Sequence, residues 1–157
     1  QLRALIRENG LPPDNLKFCP PALAEQMISV SSEYDVGLAL EQPASLNRDL
    51  CLTNKIFSYL LAGNAVAATF TTGQEAIVET LGPAGFLYRP GDCEGLARGL
   101  RVWHDDRAEL QRARREAWSL GSNRSNWDLE KKKLLDLVDS VLMNQETGTV
   151  ARSRAIA

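Results

Sequence analysis

The sequence predicts an α/β fold: a mostly parallel sheet with helices on both faces. Three observations predict it. Helix-period and strand-like segments alternate along most of the 157 residues, and such alternation builds parallel sheets. The strand-like runs are short, apolar throughout and bounded by turn residues, as strands buried on two faces are. The segments between them are long enough, roughly a dozen residues or more, for right-handed parallel crossovers.

Each element has its own warrant. Leu2, Leu5 and Ile6 recur at helical spacing, and Gly10 stands where a left-handed cap ends a helix. Leu11–Asn15 is a turn cluster. Leu16–Cys19 alternates like a strand and Pro20–Pro21 ends it. Ala22–Glu33 reads as a helix with Leu23, Met27 and Val30 on one side. Val36–Leu40 is a continuous apolar run and predicts a buried strand. Glu41–Leu52 is a long polar loop. Thr53 is placed to cap a helix over Asn54–Ala62, striped by Ile56, Tyr59 and Leu60 and stopped by Gly63. Ala65–Thr69 is a second buried strand, Gln74–Leu81 a short helix and Gly85–Tyr88 a further strand. Helices are expected over Cys93–Trp103, Arg107–Leu120 and Leu129–Leu142, the last striped by Leu134, Leu135, Val138, Val141 and Leu142. Residues 1–143 make one domain, and Asn144–Ala157 is polar, lacks a period and reads as a flexible tail. The expected order is a helix, four strand–helix units and two more helices. A parallel sheet normally opens on a strand, whereas this chain opens on a helix at Gln1, so at least one strand is expected upstream.

Composition narrows the function classes. Apolar residues form 44% and charged residues 24% of the chain, an ordinary globular balance. Lysine and arginine total 18 against 20 acids, so the net charge of −2 advertises no nucleic-acid partner. No apolar run reaches the ~18 residues of a membrane span. Cys19, Cys51 and Cys93 lack metal-ligand spacing and read as buried or half-buried free thiols in a reducing, cytoplasmic compartment.

Ligands of open parallel sheets bind outside the carboxyl ends of the strands. The loop after Leu40 ends at the helix start Thr53-Asn54-Lys55. Free N–H groups and the dipole make a helix start an anion site. Lys55 opposes the dipole there, so either a bound phosphate compensates it or it reaches into solvent. Thr71-Thr72-Gly73-Gln74 is a second loop-to-helix junction, readable as an anion site or as a plain turn cap. Of the acids Glu41, Glu75 and Glu79, Glu41 is best placed to meet a ligand hydroxyl, with a solvated carboxylate as the alternative. No glycine-rich nucleotide fingerprint occurs. His104 is the only histidine and lies between two helices, away from the strand ends. The Arg107–Arg115 run interleaves with acids and reads as a solvated face. Lys131, Lys132 and Lys133 are expected to face solvent, with an acidic partner or a missing domain as the alternatives. Mutual packing is the expectation for Trp103, Trp118 and Trp127.

Taken in order, Tyr34–Leu40, Thr53–Gly63, Val66–Thr69 and Ala84–Tyr88 with Pro90-Gly91-Asp92 resemble the C-terminal domain of GT-B fold glycosyltransferases of the group 1, family four kind. The resemblance covers about Leu16–Leu142. It implies a Rossmann-like three-layer sandwich, the C-terminal half of a GT-B fold, truncated at its N-terminus. It implies a metal-independent transferase that moves a sugar from a nucleotide-diphosphate donor, such as a UDP- or GDP-sugar, to a sugar, lipid or protein acceptor held by a missing N-terminal domain. By position, Thr53, Asn54 and Lys55 would face the donor, with Lys55 the catalytic electrostatic group. Pro20 and Pro21 would lie near the nucleobase, Glu41 beside the ligand, and Thr72 and Gly73 along the cleft. The family pattern departs in three respects: Ser58 replaces an acid that grips the ribose, Gly63-Asn64-Ala65-Val66 lacks the usual proline, and the basic residues that the family places after the domain's first strand are expected upstream of Gln1. A non-catalytic scaffold domain with a degenerate site, or a related nucleotide-sugar epimerase, are the alternatives.

Overall fold

The computed structural model describes residues 2–154, the side chains of Pro13, Val78, Glu79 and residues 144–154 excepted. The chain runs α1 (Leu2–Glu8), α2 (Met27–Ser31), β1 (Val36–Ala39), α3 (Leu46–Leu50), α4 (Asn54–Ala62), β2 (Ala65–Thr69), α5 (Thr72–Leu81), β3 (Gly85–Tyr88), α6 (Cys93–Asp105), α7 (Arg107–Asn123) and α8 (Trp127–Arg154). Its class is α/β, with a small parallel sheet in the order β1-β2-β3. Val36 pairs with Ala65 and Ala39 with Ala68, while Val66 pairs with Gly85 and Thr69 with Tyr88.

β2 is the central strand, and all five of its residues are buried. Alternation sends its side chains to both faces. Val66 and Ala68 join Ala39, Ile56, Leu60, Leu81, Ala84 and Ala117 on one side. Ala65 and Ala67 join Trp103, Leu110 and Ala113 on the other. Trp103 meets the Phe86 ring at 5.0 Å between centroids, tilted by 54°.

Helix ends follow local chemistry. Thr71 Oγ1 accepts from Gln74 N–H, Asp92 from Gly95 N–H, and Asp106 from the N–H groups of Ala108 and Glu109. Gly63 adopts φ 70° after α4, where Asn64 N–H reaches Tyr59 O at 2.9 Å and closes the last turn.

Several expectations are corrected. Leu16–Cys19 is not a strand, and the described sheet has three strands rather than four. A strand exists only by pairing, and residues 16–19 are exposed outside the ladder. The expected helix over 22–33 is a 3-10 turn at Ala24–Gln26 followed by the five residues of α2. The loop after β1 contains α3, capped by Ser45 through Arg48 N–H. The last helix starts at Trp127, because Asn126 accepts from Leu129 N–H. It also passes the expected end at Leu142 and runs to Arg154. No proline interrupts that stretch, and Gln145, Glu146, Ala151 and Arg152 favour helix. The tryptophans do not pack on one another: only Trp103 is buried, while Trp118 and Trp127 are 58% and 66% exposed. The α8 stripe from Leu134 to Leu142 is likewise exposed, and so are Cys19, Cys51 and Cys93, expected to be buried or half-buried: each lies in a loop or at a helix start rather than on a core-facing element. Among the described residues, no helix is long and apolar enough to cross a membrane.

α7 lies close against α4 at Gly121, where an added Cβ would stand 2.7 Å from the Leu60 carbonyl carbon. Backbone cannot yield there as a flexible side chain would. Gly121→Ala is therefore expected to cost about 1–3 kcal/mol. The measurement is urea unfolding, with a lower midpoint at unchanged slope.

Candidate functional site

The carboxyl ends of β1 and β2 lead into two helix starts, those of α4 and α5. β1 ends at Ala39, and the chain then carries Glu41 back under the first turn of α4. Glu41 is only 7% exposed, unusual for a loop carboxylate. Its Oε1 accepts from Lys55 Nζ at 2.5 Å and from Thr53 Oγ1 at 3.1 Å. The Lys55 hydrogen bond holds the Glu41 carboxyl below its ordinary range, against the opposing effect of burial.

This arrangement answers two sequence-level questions. Glu41 is the charge that faces Lys55, whose side chain stays half exposed. The Thr53 hydroxyl does not cap α4, because it donates to Glu41 instead. The first turn of α4 therefore has no side-chain cap.

The remaining predicted residues divide into groups. Asn54 and Ser58 lie one turn apart on α4, and Ser58 Oγ donates to Asn54 O at 3.3 Å. Together with Phe57, Ile77 and Trp127 they line an open cavity of about 740 Å³ between α4, α5 and the start of α8. Thr72 and Gly73 are tied to the β1–α4 connection. Asp49 accepts from Thr72 N–H at 3.2 Å and from Thr72 Oγ1 at 2.7 Å. An added Cβ on Gly73 would stand 2.5 Å from Leu50 O. Pro20 and Pro21 are exposed on the extended stretch before α2. Glu75 is exposed on α5, and the Glu79 side chain lies outside the described residues. His104 is exposed beside Asp105.

Three residues with no site role assigned from sequence, Tyr59, Asn64 and Asp49, support the site. Tyr59 covers Gly37 so closely that a Cβ there would stand 2.2 Å from the ring, and its hydroxyl donates to Leu38 O at 3.4 Å. Burial raises the Tyr59 phenol above its ordinary range. Asn64 is buried, and its amide donates to the carbonyls of Ser31 and Tyr34 at 3.0 and 2.5 Å. A proline has no amide side chain with which to make those bonds. Asp49 supplies the clasp on α5. The stripe residue Tyr59 and the departure at Asn64 were visible signals, but their partners lie far along the chain.

The arginine run is not uniformly a solvated face. Arg114 bonds Asp35 at 2.8 Å and Gly63 O at 3.0 Å, and Arg107 bonds the other Asp35 oxygen at 3.0 Å. These contacts fix α7 across the start of β1 and the end of α4. Lys131 and Lys133 pair with Asp128 and Glu130 along α8.

Compared with known proteins, the chain matches no family model, no curated protein and no solved structure.

Because the folded pKa of Glu41 is lowered, the pair stabilises fully above the ordinary value of 4.5 and is lost as pH falls through the folded value. Glu41→Gln removes this linkage. Wild-type stability is expected to fall more steeply than that of the variant between about pH 6 and pH 3, the two curves converging at low pH. Urea midpoints across that range test it, and parallel curves would contradict the assignment.

Proposed function

We propose that this chain is the nucleotide-sugar-binding half of a glycosyltransferase of the hexosyl-transferring kind. The observation that carries the reading is the Glu41–Thr53–Lys55 cluster at the start of α4, beyond the carboxyl end of a parallel strand. A lysine held at an uncapped helix start offers an ammonium and free N–H groups together. That combination suits a diphosphate and would stabilise the charge that develops as it leaves. Lys55 is the principal electrostatic group in this reading. Ser58 retains lone pairs for a ribose hydroxyl, and Glu41 aims the lysine. The motif order in Tyr34–Leu40, Thr53–Gly63 and Pro90-Gly91-Asp92 supports the same reading. So does the burial of β2 on both faces, as the three-layer half of a GT-B fold requires. Acceptor binding would fall to a second domain, and the exposed free cysteines suit a cytoplasmic setting.

One observation favours a second reading. Lys55 is already neutralised by Glu41, and Thr72 is already held by Asp49. A degenerate, non-catalytic scaffold domain would show that same internal pairing.

Calorimetric or NMR titration of the intact protein with UDP- and GDP-sugars separates the two. The donor reading expects saturable binding that needs the diphosphate and weakens about tenfold or more in Lys55→Ala, as loss of a charge-assisted bond would. No binding to wild type supports the scaffold. Binding that survives Lys55→Ala overturns the site.

A further inference from the structure

We propose that residues 42–52 form a hinged strap, fixed at both ends and released in the middle by one clasp. Glu41 anchors the first end, buried under Lys55 and Thr53. Leu52 anchors the second, packed against the apolar cluster of Ile56 and Leu60. Between these anchors almost nothing holds the chain down. No residue of α3 is buried, and Leu46 is 74% exposed. A five-residue helix is too short to persist by itself. The attachment to the body is the pair of hydrogen bonds from Thr72 to Asp49, with the Leu50 carbonyl resting over Gly73.

Gln74 lies in the same first turn of α5, fully buried, and neither atom of its side-chain amide has a partner among the described residues. Unsatisfied buried amides are unfavourable, because water would bond both atoms. Lifting the strap breaks the two bonds to the Asp49 carboxylate and moves no fully buried residue. Segments with few buried contacts open locally at far lower free energy than the whole fold. The strap spans the connection between the two helix starts, so its opening controls access to the carboxyl edge of the sheet.

Amide hydrogen exchange on the intact chain tests it, comparing wild type with Asp49→Ala and Thr72→Val. Asp49→Ala should speed exchange across residues 46–51 by about tenfold, as loss of bonds to a charged acceptor implies. Exchange within β2 should stay unchanged. Thr72→Val removes only the hydroxyl bond at an exposed position and should give a smaller rise in the same residues. Unchanged exchange across 46–51 in Asp49→Ala overturns the strap. So does acceleration of β2 in step with it, because the segment would then open only with global unfolding. If Asp49→Ala fails to fold, Thr72→Val decides by the same two criteria.

Discussion

Covering β2 on both faces is the constraint on which the rest of the structure depends. Its five residues are buried, and three of them are alanines. Small side chains bury little apolar area each, so they hold a sheet only if the helices come close. The close approach is visible where Gly121 of α7 lies against the Leu60 backbone and where Tyr59 lies on Gly37. Ala117 and Ala113, one turn apart on α7, belong to the two apolar clusters that β2 separates. One helix therefore contributes to both clusters, and Arg114 fixes its position through Asp35 and Gly63 O.

That packing brings helix starts together beyond the strand ends, and carboxylates then distribute themselves among them. Asp92 and Asp106 cap α6 and α7 in the ordinary local way. Glu41 and Asp49 do something less local. Each reaches from the β1–α4 connection to a helix start, Glu41 to α4 through Lys55 and Asp49 to α5 through Thr72. Negative charge at a helix start is favourable whether it comes from a ligand or from the chain. The same connection thus provides both the anchor of the candidate site and its cover.

Much of the architecture was legible before any coordinates. The runs at 36–40, 65–69 and 85–88 matched strands because each is a short apolar run bounded by turn residues, but only 65–69 is buried throughout: Leu38 of the edge strand β1 is exposed, contrary to the buried strand expected there, and β3 is half-buried. The α4 helix and its stop at Gly63 matched because periodicity and a left-handed glycine are local signals. Leu16–Cys19 failed because alternation reports a strand's preference and not the presence of a neighbour to pair with. Thr53 failed as a cap because a distant carboxylate competed for its hydroxyl. The short α3 was missed, although Ser45 marks its start, because five residues carry too little period to register. The three tryptophans looked like one cluster because sequence shows their type and not their facing; Trp103 found Phe86, and the other two stayed exposed.

The candidate site divides the same way. The sequence by itself determined that Thr53, Asn54 and Lys55 open a helix after a buried parallel strand, since helix starts and apolar runs are written over a few neighbouring residues. It also marked Glu41 as the acid nearest that strand end. Only the tertiary structure decided that Glu41 is buried against Lys55, that Asp49 occupies the start of α5, and that Ser58 and Asn54 line a separate cavity. Those outcomes depend on side chains 12 to 23 residues apart meeting in space. Where two groups compete for one partner, the winner is set by the distances that folding leaves between them.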